Sequence, residues 1–308
     1  MKVNIQNIVS DIQALYVKDK KISSIICTGD SVKTAYTLKD VIPLPDGHPF
    51  RQLLGLPGLP YNKIAQIAGK PDCGKSTWGC ELVVAAQKAG VQVVYWDSED
   101  KFDGNRLTML GGKPKDILMI KTNETLKGAE LARKYILAIK AQVPEAKILF
   151  VWDSVGGSQS RSHAERELDS EKHAQPGQDA KENGSVCKVL VALINKFPDS
   201  IAVYLANQTY AKIGFMQKGD ATSGGTKIEY HSSFIVMLKR IKVLTKTVKG
   251  VITKYGIITR AVASKNHLSQ SETSVHQIDF EVTASGSKIA SKQGATTDDD
   301  SSEDEESE

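Results

Sequence analysis

The chain predicts an α/β fold in which a mostly parallel central sheet is flanked by helices. Three observations carry that prediction. Apolar runs of strand length alternate with helix-patterned stretches from about Phe50 to Val282, the order that builds parallel sheets. Gly69-Lys-Pro-Asp-Cys-Gly-Lys-Ser-Thr77 has the G-x-x-x-x-G-K-S spacing of a Walker A loop. It follows the apolar run Ile64–Ala68 and opens into residues 77–89, where Leu82, Val83 and Ala86 repeat at helical spacing.

Taken in order, residues 4–17 place Ile5, Ile8, Val9, Ile12 and Leu15 on one helical face. A short strand follows at Ile22–Cys27. Such a helix-and-strand unit is too small to fold alone. Residues 1–45 are therefore expected to pack on the main domain or on a neighbouring chain, with Pro43–Pro49 as a turn-rich linker. Within a core expected at 46–283, strands are predicted at Ile64–Ala68, Gln92–Trp96, Leu118–Ile120, Lys147–Trp152, Ala202–Leu205, Phe234–Ile241 and Tyr255–Ala263. Helices are predicted at Ser76–Ala89, Arg106–Met109, Leu126–Gln142 and Val186–Lys196. Residues 157–184 and 209–226 are polar stretches without an assigned element, and loops of that length are usually functional or disordered. After Ala284 the chain turns Ser-, Lys-, Gly- and Asp-rich, so 284–308 is expected to be a disordered acidic tail.

Charge is segregated. The net value is +4, but the last eleven residues hold eight of the 36 acidic side chains and no basic one. The rest carries 40 basic against 28 acidic residues, a formal +12. A basic body with an acidic tail fits a polyanion-binding surface and a tail that competes for it, or a tail that only solubilises. No apolar run approaches a membrane span and no signal peptide is visible, so a cytoplasmic protein without membrane contact is expected. Cys27, Cys73, Cys80 and Cys187 form no C-x-x-C pair, which favours reduced thiols over a zinc site.

The motifs suggest phosphate chemistry. The backbone of Gly69, Lys70, Pro71, Asp72, Cys73 and Gly74, with the helix start at Thr77, is suited to cradle a triphosphate. Lys75 would reach the β- and γ-phosphates, and the Ser76 hydroxyl would hold Mg²⁺. Lys147–Ser154 is an apolar strand ending in Asp153, a Walker B pattern that would serve the same Mg²⁺. Val94–Glu99 also ends in acids. Glu99 is the candidate to orient the attacking water, ahead of Asp97 and Ser98. Ala202–Gln208 ends in amides, and Gln208 is suited to sense a γ-phosphate. The next segment interleaves Lys212 and Lys218 with Ile213, Phe215 and Met216, a mixture that suits single-stranded nucleic acid as well as a solvated loop.

With these parts in this order, the chain resembles the RecA family of DNA strand-exchange recombinases, and more closely its short phage-encoded members of UvsX type. The resemblance covers roughly residues 50–270. It rests on Gly69–Thr77, Tyr95–Asp103, Ile148–Val155, Asn207-Gln208, Lys212-Ile-Gly-Phe-Met216, Ser223-Gly-Gly225 and Ile235–Arg240. It implies a RecA-type P-loop core with Glu99 as the hydrolytic glutamate and Gln208 as the γ-phosphate sensor. Asp103 would contact adenine. Residues 157–184, with Arg161 and Arg166, and residues 209–225, with Lys212, Ile213, Gly214, Phe215, Met216, Lys218, Gly224 and Gly225, would be two DNA-binding loops. The N-terminal helix and strand would dock on the next subunit of a filament.

Departures are visible. Arg106 stands where the family has an adenine-stacking tyrosine. Of two lysines that reach a neighbour's ATP, only Lys265 matches, and His267 replaces the other. No counterpart of the bacterial C-terminal DNA-capturing domain is expected. The expectation is an ATP- and Mg²⁺-dependent recombinase that forms filaments on single-stranded DNA, pairs it with duplex DNA and works beside single-strand-binding and loader proteins. A hexameric helicase and a recombination regulator without strand exchange are the alternatives.

Overall fold

The structure is a computed structural model that describes residues 4–15, 35–168, 177–211, 220–268 and 274–291. Helix α1 (Ile5–Leu15) matches the predicted amphipathic helix, and Ile5, Ile8, Ile12 and Leu15 are all exposed along it. The predicted strand at 22–27 lies outside the described residues.

The expected linker is instead part of the packed body. Strand β1 (Val41–Pro43) pairs antiparallel with β2 (Gly58–Pro60), and α2 (Pro49–Leu54) lies between them in sequence. Pro49 opens α2, where its missing N–H costs no hydrogen bond. His48 Nδ1 accepts from the Phe50 N–H at 3.1 Å. Phe50 then stacks on Trp78 at 5.3 Å. A Pro- and Gly-rich composition thus marked tight turns rather than a loose connection.

Alternation follows as predicted: β3 (Ile64–Gly69), α3 (Lys75–Lys88), β4 (Gln92–Asp97), α4 (Gly104–Met109), β5 (Ile117–Lys121), α5 (Thr125–Gln142), β6 (Ile148–Asp153), α6 (Arg161–Leu168), α7 (Gln178–Lys196), β7 (Ile201–Ala211), β8 (Asp220–Thr222), α8 (Thr226–His231), β9 (Phe234–Val248), β10 (Val251–Asn266), β11 (Gln277–Thr283) and β12 (Gly286–Ile289). The main sheet has the order β12-β11-β10-β9-β3-β7-β6-β4-β5. From β9 to β5 every pairing is parallel, and from β9 outward to β12 every pairing is antiparallel. This is the mostly parallel α/β architecture with an antiparallel extension that the sequence predicts.

Both sheet faces are covered, which is why the central strands read as unbroken apolar runs. Ala65, Val93, Tyr95, Leu149, Val151 and Tyr204 pack with Trp78, Leu82 and Val83 of α3. Their strand neighbours Val94, Trp96, Phe150, Trp152 and Val203 pack on the opposite face with Ile136 of α5 and Leu190 of α7. Trp96 and Trp152 stack there, with ring centroids 4.4 Å apart.

Three sequence expectations change. The stretch 157–184 holds α6 and the first turns of α7, whose polar residues carry no apolar period but bond locally. Asp179, for example, accepts from the Ser160 N–H at 2.7 Å and pairs with His163 Nδ1 at 2.6 Å. Residues after Ala284 contribute β12, which pairs with β11. Strands β9 and β10 run far past the sheet as a two-stranded hairpin, since β9 leaves β3 after Leu238. Its turn places Lys249 and Gly250 at φ 51° and 78°, the positive-φ pair of a two-residue hairpin turn.

Candidate nucleotide site and the loop beside it

The Walker A segment leaves β3 at Gly69 and enters α3 at Lys75. Gly74 takes φ 98° at the helix N-cap, a backbone that glycine adopts without a Cβ penalty. A Cβ on Gly69 would lie 2.6 Å from the Leu238 carbonyl oxygen and 2.7 Å from Cys73 Sγ. Lys75 curls under the loop. Its Nζ donates to the Gly69 and Lys70 carbonyls at 2.8 Å each, so the ammonium sits where the loop wraps. Tyr204 Oη donates to the Lys75 carbonyl from below at 2.7 Å.

Beside this loop the strand ends form a cleft of about 380 Å³. Pro71, Asp72, Lys75, Ser76 and Thr77 line it from the loop side. Glu99, Asp103, Arg106, Asp153 and Gln208 line it from the others. Cys73 is buried beneath the loop, where burial raises its thiol pKa against the opposing pull of Lys75. The sequence-predicted nucleotide residues therefore converge within one chain, apart from Lys265 and His267.

Asp153 ends β6. Burial pushes its carboxyl pKa up, opposed by hydrogen bonds from Ser76 and Tyr95. Tyr95 Oη donates to Asp153 Oδ2 at 2.8 Å. Asp97 is structural rather than chemical. Its carboxylate accepts from the backbone N–H groups of Lys101 at 3.1 Å and Phe102 at 2.8 Å, which shapes the turn after β4.

That turn presents Glu99. Glu99 Oε1 accepts from Gln208 Nε2 at 2.8 Å and from the Ser154 hydroxyl. Its Oε2 accepts from Lys101 Nζ at 2.5 Å. Burial raises the Glu99 pKa, but the bonds from Lys101, Ser154 and Gln208 outweigh it and hold the carboxyl below the usual glutamate range. Gly157 permits the arrangement, because a Cβ there would come within 2.3 Å of Glu99 Cγ.

Asp103 caps α4, its Oδ1 accepting from the Arg106 N–H at 3.0 Å. The Arg106 guanidinium donates to the Thr283 and Ala284 carbonyls at 2.6 and 2.5 Å, tying the cleft to the end of β11. Lys265 and His267 face a separate cleft with Thr222 and Glu229. Lys265 Nζ donates there to the Glu229 carbonyl at 2.9 Å.

Of the expected DNA-binding residues, Lys212, Ile213, Gly214, Phe215, Met216 and Lys218 lie outside the described residues, as does the Arg166 side chain. The frame of their loop is described. Thr209–Ala211 pair with Asp220–Thr222, so two three-residue strand segments lie inside the expected loop 209–225. Gly224 and Gly225 follow at φ 84° and 82°. Arg161 opens α6, exposed, with Nε 3.1 Å from Glu165 Oε1. Sequence reading missed the β9–β10 hairpin as a charged surface. Between Glu229 and Glu272 the chain has no acidic residue, and Lys239, Arg240, Lys242, Lys246, Lys249 and Lys254 are exposed on that hairpin. The absence of acids was the available signal.

Fold and cleft define a P-loop α/β protein whose phosphate loop faces an acid–amide pair. The sequence model of the RecA N-terminal domain matches residues 14–283, and the chain belongs to that family. It is similar to Protein RecA of Nitrobacter winogradskyi, 27% identical over 230 residues that cover 74% of this chain and 59% of that protein. Protein RecA of Blastochloris viridis is 26% identical over 230 residues, 74% of this chain and 61% of that one. For Protein RecA of Geobacter sulfurreducens the figures are 27%, 73% and 65%. The chain thus spans about three fifths of the length of these curated relatives.

Proposed function

We propose that this protein is an ATP-dependent recombinase that forms filaments on single-stranded DNA and exchanges strands with homologous duplex. One observation carries the reading furthest. Strand β7 bears Gln208 in the cleft and, from the next residue, pairs with β8 to frame the loop between Ala211 and Asp220. A change at a terminal phosphate would move Gln208 off Glu99 and pull directly on that loop, which couples nucleotide state to DNA affinity.

ATP is the substrate of this reading. Lys75 leaves its loop carbonyls to meet the phosphates, and Glu99 orients the attacking water. The Arg106 guanidinium, fixed by two carbonyls, offers a flat face for the base. Ser76 and Asp153 both line the cleft and present hard oxygen donors, a set that suits Mg²⁺. When bound, Mg²⁺ would neutralise charge developing on the phosphates. Lys265 and His267, remote from their own chain's cleft, would complete the site of the adjacent subunit. The N-terminal helix and strand expected at residues 4–27 would make the contact between subunits, and the acidic run 298–308 would temper duplex binding. Within the family we read the chain as nearest the short phage-encoded UvsX type, on the strength of Lys212–Met216 and Ser223–Gly225.

ATP turnover with and without single-stranded DNA tests this, for the wild type and Glu99→Gln. Stimulation by DNA that the substitution abolishes supports the reading. Turnover indifferent to DNA in the wild type removes the link between cleft and loop and sinks it.

A further inference from the structure

Lys101 has no part in the chemistry above, yet it lines the cleft. Its backbone is pinned, since its N–H donates to Oδ1 of buried Asp97 at 3.1 Å. Its side chain is 76% exposed and ends 2.5 Å from Glu99 Oε2. A fixed pivot therefore carries a solvated cationic arm at the hydrolytic carboxylate.

Among the described residues the three cations that line the cleft are engaged differently. Lys75 is bonded to carbonyls of its own loop and Arg106 to carbonyls beyond β11. Lys101 alone of the three is paired with a carboxylate. An ion pair whose cationic arm is this exposed is weak, because solvent screens it and holding the long side chain costs entropy. A terminal phosphate carries more negative charge and more acceptor oxygens than a carboxylate. The exchange of one partner for the other is therefore favourable once a triphosphate lies in the cleft. The exchange releases one oxygen of Glu99, because its Oε1 is occupied by Gln208 and Ser154 and, among the described residues, Lys101 alone holds Oε2.

We propose that Lys101 is a terminal-phosphate sensor: it holds Glu99 while the cleft lacks a triphosphate and crosses to the γ-phosphate when one arrives, freeing Glu99 Oε2 for water. This rests on the reading of the cleft as an ATP site. It adds a discrimination between triphosphate and diphosphate that the Walker A loop does not by itself supply.

The test compares Lys101→Met and Lys101→Arg with the wild-type full-length chain in Mg²⁺ buffer. Fluorescent ADP and a fluorescent non-hydrolysable ATP analogue are the probes. In Lys101→Met the affinity for the ATP analogue should fall roughly tenfold while that for ADP stays within about twofold, and Lys101→Arg should recover most of the loss. In turnover the cost should fall mainly on KM. An equal loss for both nucleotides, or none for either, overturns the proposal. Absence of turnover in the wild type would count against the hydrolytic reading alone, because the binding comparison does not depend on it. A wild-type chain that binds neither nucleotide overturns both.

Discussion

Gln208 on β7 donates to Glu99 beyond β4 at 2.8 Å, although β6 lies between those two strands. The gap is bridged by Ser154, just past β6, whose hydroxyl donates to the same Glu99 oxygen. Three successive strand ends in the order β7-β6-β4 thus share one carboxylate, and the same β7 goes on to frame the loop. The proposed coupling of cleft and loop would therefore run through a side-chain contact rather than a movement of the sheet.

Separating the two halves of that contact should separate two functions. Glu99→Gln should lower ATP turnover about a hundredfold or more, as removal of a general base does, and leave nucleotide binding in place. Gln208→Ala should keep basal turnover closer to wild type and lose its stimulation by single-stranded DNA. Steady-state ATPase assays at matched DNA concentrations check both, and a Gln208→Ala chain with normal stimulation would show that the coupling runs elsewhere.

Gly157→Ala should act on chemistry without touching the phosphate loop. The added methyl would lie 2.3 Å from Glu99 Cγ, and it would also crowd the Ser98 hydroxyl at 2.9 Å. Glu99 must turn away from Gln208, so turnover should fall at least tenfold, in line with the sensitivity of catalytic groups to misplacement of about 1 Å. Nucleotide affinity, measured by equilibrium titration, should change little.

Glu81 on α3 ties the two ends of the described core together. It pairs with His48 Nε2 at 3.0 Å, and its two oxygens accept from the Ser287 N–H and hydroxyl at 2.5 Å each. Burial raises its pKa, but the bonds from His48 and Ser287 prevail and depress it. A carboxyl depressed in the folded state stabilises above its unfolded pKa of about 4.3, and that contribution is lost as pH falls through the lower folded value. Glu81→Gln should therefore cost about 2 kcal/mol at pH 7. The gap to wild type should close as pH drops below about 4. Urea unfolding at the two pH values measures it.

The β9–β10 hairpin should contribute to DNA affinity through charge alone. Replacing Lys246, Lys249 and Lys254 with Gln should weaken binding across sequences. It should also flatten the plot of log affinity against log salt by roughly 0.7–0.9 for each phosphate left without its lysine. Fluorescence anisotropy over a salt series reads both, and an unchanged slope would place the hairpin away from DNA.

Much of this molecule was legible in the chain. Strands Ile64–Gly69, Gln92–Asp97 and Ile148–Asp153 fall within a residue or so of where apolar runs placed them, because burial on both faces demands such runs. The short strands at 41–43, 58–60 and 286–289 carried no periodicity long enough to read. The first turns of α7 are polar because they bond to their own surroundings, so no apolar repeat announced them.

The same division runs through the site. By itself the sequence determined the Walker A loop and named Asp153, Glu99 and Gln208, since each needs only a strand end and the right side chain. That Glu99 and Gln208 touch, that Ser154 bridges them and that Lys101 pairs with the same carboxylate were decided by tertiary structure alone. The reason is physical. Which strand ends are neighbours follows from the order β9-β3-β7-β6-β4-β5, set by packing between residues that lie tens to more than a hundred positions apart in the chain, and no local pattern records it.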